Sequence, residues 1–160
     1  MSKLGRRSFL SAFWGALVLW AGRGAAQPPL AFNRTSLVIE NGKGRHKFDV
    51  DLALTDVQQS RGLMFRRKMA PDAGMLFDYK YPQVITMWMK NTLIPLDMVF
   101  IAADGRISHI AQRTVPYSQT VISSRGRARA VLEINGGTAQ RLGIKPGDKV
   151  IHPMFGTGAE

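Results

Sequence analysis

The chain contains no cysteine among its 160 residues. This absence excludes disulfide scaffolds, thiolate nucleophiles, zinc–thiolate clusters and iron–sulfur centres. Acidic residues are also scarce, because 11 Asp and Glu stand against 22 Lys and Arg and give a formal net charge of +11. Since 45% of the residues are hydrophobic, the composition indicates a globular protein. Its chemistry must therefore come from oxygen, nitrogen and thioether groups.

Long hydrophobic runs are also lacking, and the longest, Phe9–Ala21, is too short for the roughly 20 residues of a membrane span. Basic residues precede this run, and Gly24, Ala25 and Ala26 follow it. That order is typical of a secretory signal with a small-residue cleavage site. We therefore predict a signal peptide over residues 1–26, cleaved after about Ala26, and a periplasmic or secreted protein. An uncleaved membrane anchor is the alternative.

The segment Gly5–Leu10, which contains Arg6 and Arg7, resembles a twin-arginine export signal. The resemblance implies that the protein folds before export, whereas the general secretory route is the alternative. Export also argues against nucleic acid as a partner. After the signal we predict a flexible lead-in over 27–35, one β-rich domain over 36–154 and a tail over 155–160.

Alternating apolar residues predict strands, most clearly at Phe48, Val50, Leu52 and Leu54. Many short runs of this kind are separated by turn signals such as Asp104-Gly105. They predict a mainly β fold, either a jelly-roll-like β-sandwich or a partly open barrel, with one or two short helices. The predicted strands are 36–39, 46–54, 75–77, 84–89, 96–102, 106–111, 121–122, 128–134 and 149–152.

Two short helices are indicated by their end signals. Thr55 and Gln58 form a capping-box pattern, which predicts a helix to about Met64 that buries Val57, the Arg61 stem and either Leu63 or Met64. The second helix is predicted over Thr138–Leu142 and ends at Gly143.

The segment around the only tryptophan beyond residue 26, Trp88, is the densest in unusual residues. Thioethers suit Cu(I) and an indole face suits a cation, so Met87, Met89 and Trp88 form a candidate copper site. Methionine more often fills irregular gaps in a core, and core packing is the favoured interpretation.

Two carboxylates lie in apolar strand patterns, Asp97 and Glu133. A pair of buried carboxyl groups can perform acid–base chemistry, so they are the candidate catalytic residues of a hydrolase-type enzyme. The alternative for Asp97 is structural: it would accept backbone N–H groups from the turn over 91–95.

The turn Trp88–Thr92 is the predicted ligand-binding surface. Lys90, Asn91 and Thr92 present a cation, an amide and a hydroxyl beside the indole, and Arg61 and Arg66 add positive charge. These groups suit a small polar or anionic ligand or a glycan stacked on Trp88. No cofactor motif is present, and the three histidines do not have the spacing of metal ligands.

Basic residues cluster at 43–47, 61–68 and 125–129. A peripheral anionic membrane surface is one partner that they suit, and a merely solvated basic surface is the alternative. Arg125 and Arg127 flank Gly126 in a predicted mobile loop. We expect a monomer.

Six motifs stand in one order along the chain: Arg61–Met64, Gly74–Phe77, Trp88–Thr92, Pro95–Met98, Val131–Ile134 and Gly143–Asp148. Through these six motifs the chain resembles the domain of unknown function 192 family, also called uncharacterised protein family 0127. The resemblance implies a jelly-roll-like sandwich with a short helix, but no established activity. Gln58 and Gln59 stand where family members commonly have an acidic residue, so no role is assigned to an acid there. The family's signature residues correspond to Met64, Trp88, Met89, Lys90, Asn91, Thr92, Asp97 and Glu133. We therefore expect an exported binding or accessory protein more than an enzyme.

Overall fold

The computed structural model describes residues 30–157. The fold has seven strands and two short helices, one after the second strand and one after the sixth. The last strand is followed by a 3₁₀ turn over Pro153–Phe155. The strands are β1 Asn33–Asn41, β2 Gly44–Ala53, β3 Ala73–Met87, β4 Leu96–Ile101, β5 Ile107–Thr114, β6 Ile122–Asn135 and β7 Lys149–Ile151. Helix α1 is Asp56–Arg61 and helix α2 is Thr138–Leu142. The predicted signal peptide lies outside the described residues.

All seven strands belong to one sheet in the order β5-β4-β6-β3-β2-β1-β7. Neighbouring strands are antiparallel except β2 and β3, which run parallel and are connected through α1. The sheet curls into a half-barrel. Its two edges meet at one end, where Arg106 on the β4–β5 turn forms a bridge with Lys149 of β7. The prediction of a mainly β fold with one or two short helices is thus confirmed.

Two hydrophobic clusters cover the two faces of this sheet, as alternation along a strand requires. Leu76, Leu132 and Ile134 belong to the interior cluster, which draws side chains from all seven strands. Met75 and Phe77 point the other way, into an outer cluster on β3, β4 and β6. The chain between the strands, including Leu63 and Met89, covers that outer cluster. The candidate site lies in this second layer.

Several predicted strands were too short. The predicted segments 75–77 and 84–89 belong to one bent strand, β3, which ends at Met87, two residues before the predicted end. The predicted segments 121–122 and 128–134 belong to another, β6, which begins at Ile122. Their pairing is interrupted by irregularities between Asp78 and Gln83 and between Val84 and Thr86. These irregularities break the local alternation without breaking the strand, because extra residues on one strand bend it but leave the flanking pairs intact. The predicted loop at Arg125 is likewise wrong, since it lies within β6.

The ends of the fold also differ in detail. Strand β1 begins at Asn33, within the predicted lead-in. The predicted tail begins too early, because Phe155 is buried in the interior cluster. Within residues 30–157, no helix has the length and hydrophobicity needed to cross a membrane.

Candidate functional site

A cavity of about 380 Å³ lies between α1, the end of β3 and the turn that follows β3. Strand β6 contributes one ionisable residue to it, Glu133. Leu63, Phe77 and Met87 form an apolar part of the wall, and the remaining lining residues are mainly polar. The volume is at the lower end of the range for small-molecule sites, about 300–1,000 Å³.

Helix α1 places Arg61 at the cavity, and its ends are set by local sequence. Thr55 accepts a hydrogen bond from the backbone N–H of Gln58, and the Gln58 side chain accepts one from the Thr55 N–H, so the predicted capping box is confirmed. Gly62 caps the end of the helix, where φ is +47° and an added Cβ would lie 3.3 Å from the Phe77 ring. Glycine is needed there for both reasons.

The helix is shorter than predicted and packs differently. It ends at Arg61 instead of Met64, and Val57 is 67% exposed instead of buried. Leu63, just beyond the helix, is buried in its place. A helix of six residues is fixed by its caps and by the loop after it, so its own apolar residue need not face the core.

Four of the six predicted ligand residues line one cavity: Arg61, Trp88, Lys90 and Thr92. The Trp88 indole is 48% exposed, and the Lys90 ammonium lies 5.2 Å from its ring centroid. The Arg61 guanidinium stacks over Phe65 at 4.8 Å. The cavity therefore has two cations and an indole among its walls.

The other two predicted ligand residues do not line the cavity. Arg66 donates to the carboxylate of Asp51 at 2.8 Å, and Arg34 donates to the same carboxylate at 3.0 Å. Asn91 adopts a left-handed conformation with φ of +55°, and its carbonyl accepts a hydrogen bond from Phe65. Arg66 therefore anchors the loop after α1, and Asn91 shapes the turn.

Glu133 is 4% exposed and lines the cavity. Burial raises its pKa to about 8, because a charged carboxylate loses hydration there. Burial and the nearby Glu133 charge raise the pKa of Tyr79 to about 12. The Tyr79 hydroxyl donates to the Met87 sulfur at 3.2 Å. Near neutral pH the cavity thus holds a neutral carboxyl and a neutral phenol.

Asp97 does not face Glu133. In the antiparallel pairing of β4 with β6, Asp97 is opposite Ile134, whereas Glu133 is opposite Met98. Since paired residues point to the same face and neighbours along a strand point to opposite faces, the sheet separates the two carboxyl groups. Asp97 and Glu133 therefore do not form the carboxylate pair that the hydrolase hypothesis requires.

The Asp97 carboxylate is instead a structural acceptor. It accepts backbone N–H groups from Arg113 at 2.8 Å, Gly137 at 2.9 Å and Ala139 at 2.8 Å. The prediction that the donors belong to the 91–95 turn is wrong. They belong to β5 and to the start of α2. Helix α2 begins at a glycine with no side-chain cap, so Asp97 supplies from another strand the acceptor that its N-terminus needs.

The two candidate thioether ligands have different surroundings. Met87 lines the cavity beside Trp88, whereas Met89 is fully buried in the outer cluster. The Met89 sulfur accepts a hydrogen bond from the Thr114 hydroxyl at 3.1 Å. Met89 therefore packs as a core residue, which leaves Met87 and Trp88 as the members of the copper hypothesis that face the cavity.

The described histidines lie apart, and residues 30–157 contain no group of three His, Asp or Glu side chains placed to hold a metal ion. His46 contacts Asn41, and His152 contacts the Thr35 hydroxyl at 3.1 Å. His109 stacks on Phe100. Burial lowers the pKa of His109 and of His152.

The basic segment over 125–129 belongs to β6, and two of its three arginines bind backbone groups. Arg127 donates to the Pro82 carbonyl at 2.8 Å, and Arg129 donates to the Met154 carbonyl at 2.6 Å. Arg125 is exposed and adopts φ of +56°. The hydrogen bonds of Arg127 and Arg129 therefore hold this bent part of the strand against two neighbouring segments.

Sequence reasoning did not identify Tyr79 or Thr86 as cavity residues. Tyr79 follows Phe77 at a spacing of two on β3, so it continues the same face of the strand. This spacing is visible in the sequence, but the polar stretch that follows Tyr79 favoured a break in the predicted strand.

Comparison with known proteins gives the family but no activity. The model of the DUF192 family, described as uncharacterised ACR, matches residues 37–152. No protein with a curated description matches the chain. A Sinorhizobium meliloti 1021 protein, described as a candidate transcription regulator, is 43% identical over 79% of this chain and 99% of its own, with a TM-score of 0.77. A protein of unknown function from Novosphingobium aromaticivorans DSM 12444 is 44% identical over 80% of this chain and 91% of its own, with a TM-score of 0.75. The chain belongs to the DUF192 family.

Proposed function

We propose that this protein is an exported binding protein that takes a small polar or anionic ligand in the cavity above Glu133. The observation that carries the proposal is the position of Glu133, a buried residue that lines the cavity together with Arg61 and Lys90. A polar group inside a protein is most favourable when a hydrogen-bond partner replaces the water that it has lost. A ligand that hydrogen-bonds to the Glu133 carboxyl supplies such a partner, so the cavity favours a ligand with a matching polar group.

The other walls define the rest of the ligand. Arg61 and Lys90 supply positive charge, and Trp88 supplies an aromatic face. Because the neutral Glu133 carboxyl both donates and accepts, a hydroxyl group is its natural partner. A sugar unit that bears an acidic or phosphoryl group combines these features. The protein acts as a monomer in the periplasm or outside the cell in this proposal, without nucleic acid.

The experiment is a titration of the chain 27–160, which contains every described strand and helix and has Trp88 as its only tryptophan. Neutral sugars, sugar acids, sugar phosphates, Cu(I), Ca²⁺ and Zn²⁺ are added while Trp88 emission is recorded. We expect a saturable change with one anionic sugar class and none with the metal ions. A change with Cu(I) alone that Met87→Leu abolishes would support the copper hypothesis instead.

Variants then locate the site. Glu133→Leu removes the polar group, and we expect affinity to fall roughly tenfold or more, whereas Glu133→Gln, which still donates and accepts, retains most of it. Glu40→Gln is the matched control, because Glu40 is an exposed carboxylate on β1. Equal affinity of wild type and Glu133→Leu, or an emission that no addition changes, would contradict the proposal.

A further inference from the structure

Three segments distant in sequence meet at the turn that follows β3. The backbone N–H of Phe65 donates to the Asn91 carbonyl at 2.9 Å, and that of Tyr117 donates to the Thr92 carbonyl at 3.1 Å. A third bond joins Met89 N–H to the carbonyl of Ser118 at 2.9 Å. The loop after α1 and the loop between β5 and β6 are therefore both fastened to this turn.

The backbone at this junction is held in an unfavourable conformation. Phe65, Asn91 and Tyr117 have φ of +65°, +55° and +62°, in the left-handed region. Asparagine tolerates this region, whereas bulky aromatic residues rarely adopt it. Strain of this kind persists where the surrounding structure imposes it, and it concentrates at functional sites.

The consequence of this conformation is a set of outward-facing rings. Phe65 is 54% exposed and Tyr117 is 60% exposed, and they join Trp88 at the same junction. Val115 and Val121, in the loop that carries Tyr117, are also exposed. We call these five side chains the aromatic patch. Exposed apolar side chains that are grouped in this way commonly mark an interaction site, whereas single ones are normal on a protein surface.

The charges on the three segments that carry the patch have one sign. Arg61 stacks over Phe65, and Lys90 lies over Trp88. Two further exposed cations, Arg67 and Lys68, lie shortly after Phe65 in the same segment. The three segments 61–68, 87–92 and 115–121 contain no acidic residue. A partner of the patch is therefore apolar in part and negatively charged.

We propose that the aromatic patch docks the protein onto the surface of a membrane that contains anionic lipids. Tryptophan and tyrosine favour the boundary between lipid headgroups and acyl chains, because one end of each ring is apolar and the other is polar. Exposed Lys and Arg beside them are attracted to anionic headgroups within a Debye length. Combining the two contributions is what gives a peripheral protein stable binding. This inference does not depend on a ligand in the cavity.

The test is sedimentation of the chain 27–160 with vesicles, because the apolar run in residues 1–26 would itself bind lipid. Vesicles of equal parts phosphatidylglycerol and phosphatidylcholine are compared with vesicles of phosphatidylcholine alone. We expect binding to the anionic vesicles at least about tenfold stronger, with a blue shift of Trp88 emission. Absence of sedimentation with anionic vesicles overturns the proposal.

The variant Phe65→Asn/Tyr117→Asn removes two rings and keeps every charge. Because asparagine tolerates the left-handed region, this variant keeps the fold, which circular dichroism verifies. We expect it to bind anionic vesicles roughly tenfold more weakly than wild type. Tyr81→Asn is the matched control, since Tyr81 is an exposed aromatic residue of β3 that makes none of the junction's backbone hydrogen bonds. It is expected to bind as wild type does.

Three results would overturn the assignment to a membrane. Equal binding of Phe65→Asn/Tyr117→Asn and wild type would mean that general positive charge, and not the patch, binds the vesicles. A dimer in lipid-free solution that the same variant dissociates would assign the patch to a second copy of the chain. A sugar titration that succeeds while vesicle binding fails would retain the cavity proposal and reject this one.

Discussion

Asp97 and Glu133 lie on neighbouring strands, one residue apart in register, and their side chains leave opposite faces of the sheet. On one face, Asp97 accepts three backbone N–H groups. On the other, Glu133 lines the candidate cavity. Two carboxylates in similar apolar patterns therefore have different roles, one in stability and the other at the candidate site.

The first prediction concerns Asp97. Replacing it by alanine leaves three backbone N–H groups without their acceptor, two of them at the start of α2. We expect the free energy of unfolding to fall by roughly 3–5 kcal/mol, as when one partner of a buried charged group is lost. Urea denaturation measures this change.

The accompanying control is Asp49→Ala, an exposed carboxylate on β2 that should change stability by less than about 0.5 kcal/mol. If Asp97→Ala were as stable as wild type, the capping role would be refuted.

The second prediction is a pH dependence of stability caused by Glu133. Its pKa is about 8 in the folded protein against an ordinary value of 4.5, so between these values the folded state binds more protons than the unfolded state. The contribution of Glu133 to the free energy of unfolding is therefore complete below pH 4.5. It is lost as the pH rises to about 8, by roughly 1 kcal/mol per pH unit.

Urea denaturation of wild type and Glu133→Gln at several pH values isolates this contribution, because all other titrating groups are shared. We expect the stability difference between the two proteins to grow in favour of the variant from pH 5 to pH 8. A difference that is constant with pH would show that the Glu133 pKa is not raised.

The third prediction concerns the backbone beside Glu133. A Cβ added at Gly74 would lie 2.6 Å from the Glu133 carbonyl oxygen, too close for any carbon atom. Gly74→Ala should therefore push β3 away from β6 and lower stability by roughly 1–3 kcal/mol. In a thermal melt, Gly42→Ala serves as the control, because nothing lies within 4 Å of its added Cβ. Equal melting temperatures for the two variants would contradict the close approach.

The fourth prediction concerns the cap of α1. Thr55→Ala removes the side-chain acceptor for the Gln58 N–H and should lower stability by about 1 kcal/mol. Val57→Ala, in the same helix, should change stability by less than about 0.5 kcal/mol because Val57 is exposed. Chemical denaturation of both variants makes the comparison, and a larger loss from Val57→Ala would mean that the helix packs as the sequence pattern had predicted.

Some of the fold followed from sequence because its causes are local. The alternation in β2 and the reciprocal bonds of Thr55 and Gln58 involve neighbours along the chain. The continuity of β3 did not follow, because a polar stretch with Lys80 in the left-handed region resembles a loop. Only pairing with β6 on both sides of the irregularity holds that stretch in a strand.

The candidate site shows the same division. Residue types singled out Trp88, Lys90, Thr92 and Arg61, and the structure places all four around one cavity. Arg66 had the same residue type as Arg61 but pairs with Asp51 on β2. Which of two nearby arginines reaches the cavity depends on the path of the loop after α1, and that path is set by tertiary contacts.

The sequence by itself determined the β class, the helix caps and the residue types available for binding, because propensity, capping and alternation act within a few residues. Only the tertiary structure decided which side chains share a space. Register between β4 and β6 separates Asp97 from Glu133, and the junction at Asn91 turns Phe65 and Tyr117 outward. Both depend on pairing between segments far apart in the chain, where a shift of one residue reverses the face of every side chain.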